Sequence, residues 1–140
     1  MELLFYSSLV FLLNVIIAFY YGYKLYATLF LLLMITSLCH HSNYTCSTRL
    51  IDKIAIYLVV FYGGYLFYEK IREKKSEKLS FKTIILFLLI ISTFLSTIVF
   101  YYYGYMTSSL CYCDDTTLAS YFHAFMHCMG SFGHICIVMF

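Results

Sequence analysis

Long apolar stretches separated by short polar segments make up nearly the whole chain. A helix needs about 20 predominantly apolar residues to cross a hydrocarbon core of about 30 Å. Five stretches meet this requirement and predict an all-α, polytopic transmembrane helix bundle forming a single domain over residues 1–140. The predicted helices cover residues 3–21, 25–41, 50–68, 81–103 and 118–140.

The boundary between the first two helices is short. Gly22-Tyr23-Lys24 interrupts the apolar pattern, which favours a hairpin over one long helix. The first stretch has the alternative interpretation of a signal peptide. It lacks a basic segment before the apolar run and a small-x-small cleavage site after it, so we expect it to be retained as a helix.

Composition supports the membrane interpretation. Hydrophobic residues account for 63% of the chain and charged residues for 11%, with a mean hydropathy of +0.84. A soluble domain carries roughly 25% charged residues. The composition therefore excludes a soluble globular domain, and no basic patch suggests a nucleic-acid ligand.

The distribution of basic residues predicts the orientation of the bundle. Seven lie at one end, namely Lys24, Lys70, Arg72, Lys74, Lys75, Lys78 and Lys82, and two lie at the other, namely Arg49 and Lys53. Lys and Arg are enriched in cytoplasmic loops. We therefore expect a luminal N-terminus, a cytosolic C-terminus and a basic cytosolic linker over residues 69–80.

Two helical motifs carry the candidate chemistry. One is Ser37-x-x-x-His41, followed by Asp52, and the other is His123-x-x-x-His127. Residues four apart share one face of a helix. Ionisable groups are costly within a membrane and generally mark function there.

The predicted topology brings both motifs to the same depth, near the luminal face. Three histidines with one position left for water are typical of a catalytic zinc site, so His41, His123 and His127 are the predicted ligands. Asp52 would move protons, and Ser37 would steady an oxyanion or the attacking water. The alternative is that these polar residues only satisfy one another at the ends of their helices.

Two further histidines fit the site less well. His40 points about 100° away from His41 around the same helix, and it is the main alternative ligand on that helix. His134 lies about 10 Å beyond His127 along the axis, at 1.5 Å per residue. We expect His134 to hydrogen-bond a neighbouring helix.

The cysteines at the predicted luminal end allow two interpretations. Cys46 could form a disulfide with Cys111 or Cys113, because disulfides persist in an oxidising compartment. The Cys111-x-Cys113-Asp114-Asp115 segment could alternatively form a second metal site.

Together these motifs resemble the CREST superfamily of membrane hydrolases and receptors, and alkaline ceramidases most closely. The resemblance rests on Ser37-Leu38-Cys39-His40-His41, followed after ten intervening residues by Asp52, and on Phe122-His123-Ala124-Phe125-Met126-His127 followed by Gly130 and Gly133. It implies a reduced version of a seven-helix fold in the endoplasmic reticulum or Golgi. It also implies zinc on the three histidines, with Asp52 and Ser37 beside the attacking water.

The expected function is zinc-dependent hydrolysis of a lipid amide such as ceramide, giving a fatty acid and a sphingoid base. A lipid-remodelling ester hydrolase of the type that acts on GPI anchors shares these spacings and is an alternative. A non-enzymatic, zinc-stabilised membrane protein is another. We expect the partners to be the membrane and a lipid substrate within it, and a homo-oligomer is left open.

Overall fold

A computed structural model describes residues 2–74 and 80–140, and each secondary-structure element in these ranges is helical. Five segments are long and apolar enough to cross a membrane, which confirms the all-α, multi-pass bundle. The helices are α1 (Glu2–Ser8), α2 (Phe11–Tyr20), α3 (Lys24–Ser42), α4 (Cys46–Lys74), α5 (Phe81–Ile98), α6 (Gly104–Thr107) and α7 (Thr116–Met139). α1 and α2 form the first span, while α5 continues through a π-helical turn, Val99–Tyr103, into α6 to form the fourth.

The third span is longer than predicted at both ends. α4 begins at Cys46, where Thr45 and Thr48 each accept a hydrogen bond from the other's backbone N–H, at 3.1 and 3.0 Å. This reciprocal arrangement satisfies two amides that a helix start leaves unpaired. At the other end α4 continues to Lys74, so the linker predicted over residues 69–80 is wrong for residues 69–74. Residues 75–79 of that linker, with Lys75 and Lys78, lie outside the described residues.

A break at Leu9 and Val10 divides the first span without a proline. The Ser7 and Ser8 hydroxyls both donate to the Leu4 carbonyl, at 3.0 and 2.8 Å. The amides of Leu9 and Val10 then bond three residues back, which tightens the chain before α2 begins.

The predicted hairpin between the first two spans is present. Gly22 has φ +83°, a left-handed conformation that glycine adopts without a Cβ penalty. The Tyr23 amide donates to Ala18 O at 2.8 Å and the Gly22 amide to Phe19 O at 3.0 Å. These are the two bonds of a Schellman motif, which ends α2 and turns the chain into α3.

α3 packs between α2 and α4, and α7 packs against α5 as well as α1 and α2. Two buried polar pairs link α7 to the first half of the chain. Asn14 donates to Ser131 O at 2.9 Å and also accepts from the Ser131 hydroxyl. About one helical turn further along α7, the Tyr26 hydroxyl hydrogen-bonds His134 Nδ1. This confirms the prediction that His134 hydrogen-bonds a neighbouring helix. Polar contacts of this kind connect helices where lipid supplies no hydrophobic driving force.

The close approach of helices around the Tyr26–His134 pair depends on Gly63. A Cβ at Gly63 would lie 2.5 Å from the Tyr26 hydroxyl and 2.8 Å from the His134 ring, whereas a Cβ at Gly64 would have no neighbour within 4 Å. We therefore expect Gly63→Ala to lower the free energy of unfolding by about 1–3 kcal/mol, the usual cost of overpacking. Gly64→Ala is the matched control because it makes the same change in helix propensity. The midpoint of thermal unfolding in detergent micelles measures both, and equal midpoints would contradict the packing argument.

Candidate metal centre

The candidate site lies at the end of the bundle where α3 finishes, α4 begins and α7 begins. His41 is in the last turn of α3, Asp52 is in the first turns of α4, and His123 and His127 are in the first half of α7. Because consecutive spans run in opposite directions, these positions fall at the same end of the bundle, as the sequence predicts.

The three predicted ligands converge. One nitrogen from each of His41, His123 and His127 lies within 4.8 Å of the other two. The ring centroids are 5.4 Å apart for His41 and His123, 5.5 Å for His41 and His127, and 4.8 Å for His123 and His127. A tetrahedral zinc ion bound at about 2.0–2.1 Å separates its ligand nitrogens by roughly 3.3 Å. The nitrogens would have to approach one another by up to about 1.5 Å to reach that spacing.

One nitrogen of the histidine group has no hydrogen-bond partner, which is compatible with a metal ligand. Within the described ranges, His41 Nε2 is the one buried side-chain nitrogen or oxygen that has no hydrogen-bond partner. A buried polar atom left unpaired costs about 1–3 kcal/mol. His127 is also buried and His123 is half-buried. A metal ion between the three rings would supply the partner that His41 lacks.

Asp52 is buried against α3, about one helical turn before His41, and is held there by two hydroxyls. Its Oδ1 accepts a hydrogen bond from Ser37 Oγ at 2.6 Å and another from Thr36 Oγ1 at 3.2 Å. Since Ser37 has a single hydroxyl hydrogen, directing it to Asp52 leaves none for an oxyanion. The geometry thus favours a role for Ser37 in orienting Asp52 over the oxyanion role expected from the sequence.

Two residues of the site were missed by the sequence reasoning. Ser7, in the last turn of α1, has its hydroxyl 2.9 Å from His127 Nδ1. Thr36 is the second hydroxyl on Asp52. Both are polar residues inside apolar stretches, and this was the available signal. It does not distinguish them from the other serines and threonines of the spans.

His40, the alternative ligand, lies outside the converging group. Its ring is next to that of His41, with centroids 5.1 Å apart, but its Nδ1 faces Thr48 Oγ1 at 3.5 Å. Its ring also packs on Tyr44, with centroids 4.9 Å apart. The rotation of α3 therefore selects His41 for the centre.

A cleft of about 220 Å³ opens beside the centre, between α1 and the end of α3. It is lined by Glu2, Phe5, Tyr6, His41 and Ser42. Sites that enclose a small molecule usually measure about 300–1,000 Å³. This cleft is smaller than that range.

The cysteine predictions do not hold in the structure. All six cysteines are free, so the disulfide predicted from Cys46 is absent. Asp115 instead caps α7 by accepting from the amides of Thr117 and Leu118, at 2.9 and 3.0 Å. Burial raises the pKa of the Cys111 thiol to about 11, which keeps it protonated near neutral pH. Across the described residues, the histidine group is the one set of side chains placed to hold a metal.

No protein-family model matches this chain, and no curated protein or solved structure matches it. The family resemblance drawn from the motifs therefore stays a prediction. What the site does has to be argued from its own residues.

Proposed function

We propose that the protein is a zinc-dependent hydrolase that acts within the membrane on a lipid amide of the ceramide type. The observation that carries the proposal is the convergence of three imidazoles in a chain with five candidate membrane spans, with a buried carboxylate bonded to Ser37, one helical turn before His41. His41, His123 and His127 would hold the zinc. Three neutral nitrogen ligands are a common set for catalytic zinc and leave a fourth position for water or substrate.

When bound, zinc lowers the pKa of a coordinated water to about 7 and polarises a carbonyl group. Asp52 would accept the proton of the attacking water and pass it to the leaving nitrogen. The water oxygen bonds to the acyl carbon as the carbon–nitrogen bond breaks, which gives a fatty acid and a sphingoid base. Ser37 and Thr36 occupy Oδ1 of Asp52, so Oδ2 is the oxygen available for this proton transfer.

The surroundings of the site support a lipid as the substrate. Large apolar side chains cover the outer surface of the bundle, as expected for helices in contact with lipid. The cleft beside His41 combines an aromatic wall, from Phe5 and Tyr6, with the polar groups of Glu2 and Ser42. A lipid could therefore present its polar linkage to the centre while its chains stay in the bilayer.

The same proposal includes a location. Lys24, Lys70, Arg72, Lys74 and Lys82 belong to the ends of helices opposite the histidine centre, and Arg49 and Lys53 to the end that contains it. By the positive-inside rule the centre would face the lumen. The proposal is therefore a luminal N-terminus and a cytosolic C-terminus, in the endoplasmic reticulum or Golgi as the resemblance implies.

One observation favours a second candidate, a non-enzymatic protein in which zinc stabilises the bundle. The cleft is small, and its lining includes His41 but neither His123 nor His127. A zinc ion that closes one end of the bundle would still stabilise the folded chain, because binding energy at a site absent from the unfolded state is folding energy.

Metal analysis combined with a substrate panel separates these candidates. The purified protein in detergent should contain about one zinc per chain and release fatty acid from ceramide, with chelator-treated protein as the control. Release from a glycerophospholipid or GPI-type ester, but not from ceramide, would overturn the amide assignment. Zinc without hydrolysis of either lipid class would favour the non-enzymatic candidate, and absence of zinc would reject the metal centre.

A further inference from the structure

The Ser7 hydroxyl makes two contacts that compete for its single hydrogen. Its oxygen lies 3.0 Å from the Leu4 carbonyl and 2.9 Å from His127 Nδ1. The carbonyl oxygen can only accept a hydrogen bond, so Ser7 must be the donor in that contact. A neutral imidazole, by contrast, has one nitrogen that donates and one that accepts.

Counting hydrogens favours one arrangement. If the Ser7 hydrogen points to the Leu4 carbonyl, its oxygen can still accept from an N–H at His127 Nδ1, and both contacts are satisfied. If the hydrogen points to Nδ1, the Ser7 hydroxyl no longer donates to the Leu4 carbonyl, and only one of the two contacts is satisfied. The first arrangement protonates Nδ1 of His127 and leaves Nε2 with its lone pair.

From this we infer that Ser7 is a positioning residue, which holds His127 as the Nδ1-protonated tautomer and leaves Nε2 free for a metal ion. A metal-bound histidine usually donates its other N–H to an oxygen, and this fixes the ring and its tautomer. Ser7 supplies that oxygen from α1. The ligand role of Nε2 rests on the proposed metal centre. The hydrogen bond from His127 to Ser7 and the tautomer of His127 do not depend on it.

The break in the first span gives this contact its structural basis. The amides of Leu9 and Val10 bond three residues back, and this tightens the chain before α2 begins. α1 packs against both α3 and α7, the two helices that carry the histidines. A straight first span would follow a different path past α7, so we connect the break with the delivery of Ser7 to His127.

The tautomer can be read in the metal-free protein. In micelles, with histidine labelled by ¹⁵N, long-range ¹H–¹⁵N correlations distinguish the nitrogen that carries the proton. We expect wild-type His127 to be protonated at Nδ1 and Ser7→Ala to lose this preference. Ser8→Ala is the matched control, because Ser8 makes the same bond to Leu4 and none to a histidine. Ser7→Thr keeps the hydroxyl and should restore the wild-type pattern.

Zinc affinity gives the second readout. Losing the group that supports a ligand typically weakens metal binding by about 10–100-fold, so we expect this loss for Ser7→Ala and wild-type affinity for Ser8→Ala and Ser7→Thr. Protonation of His127 at Nε2 in the wild type would overturn the inference, as would equal loss of affinity in Ser7→Ala and Ser8→Ala. If the wild type shows the expected tautomer but binds no zinc, both the proposed metal centre and the positioning role of Ser7 are rejected. The hydrogen bond between Ser7 and His127 would be unaffected by that result.

Discussion

We expect His127→Ala to remove zinc from the purified protein and His134→Ala to leave it bound. This is the largest effect we expect. His127 offers one of three nitrogens that lie within 4.8 Å of one another, and no further histidine joins that group in the described part of the chain. Losing a ligand should cost more than the roughly 10–100-fold that follows loss of a supporting hydrogen bond. Zinc per chain after dialysis, measured by mass spectrometry, tests this directly.

His134 is a suitable control because it is another histidine on α7 and is half-buried. Its Nδ1 is hydrogen-bonded to the Tyr26 hydroxyl, about 10 Å along α7 from His127, and it contributes no atom to the histidine group. Zinc loss in both variants would indicate general unfolding instead of ligand removal. Zinc retention in both would reject the proposed ligand set, and thermal unfolding of each variant tells these outcomes apart.

Asp52→Asn should lower lipid hydrolysis by about 10²–10⁴-fold, the range typical of a general acid–base group. The amide keeps the shape of the carboxylate, and its oxygen can still accept from the hydroxyls of Ser37 and Thr36. It cannot accept the proton of the attacking water. We therefore expect zinc content to remain near one per chain while turnover of a ceramide-like amide is lost.

Asp114→Asn is the matched control, since Asp114 is an exposed carboxylate in the loop that precedes α7. It should keep both zinc and turnover. Unchanged turnover in Asp52→Asn would show that Asp52 has a structural role at the start of α4. Loss of zinc together with turnover would mean that Asp52 belongs to the ligand set, which would change the mechanism proposed for it.

Several features of the protein follow from the sequence because they depend on local pattern. The spans follow from the length of the apolar stretches, and the turn at Gly22 follows from one residue that can adopt a positive φ. The four-residue spacings put His123 and His127 on one face of α7. Alternating helix directions then bring these residues to the same end of the bundle as His41 and Asp52. The end of the bundle at which the site lies could therefore be predicted.

The atoms that each side chain contacts depend on how the helices are rotated and where they bend. The rotation of α3 places His41 in the centre and turns His40 toward Thr48. The approach of α3 to α4 directs the Ser37 hydroxyl to Asp52, and the break in the first span brings Ser7 to His127. Ser7 and His127 are 120 residues apart, and no local pattern encodes such a contact. It forms because packing of the whole bundle sets the distance and angle between α1 and α7.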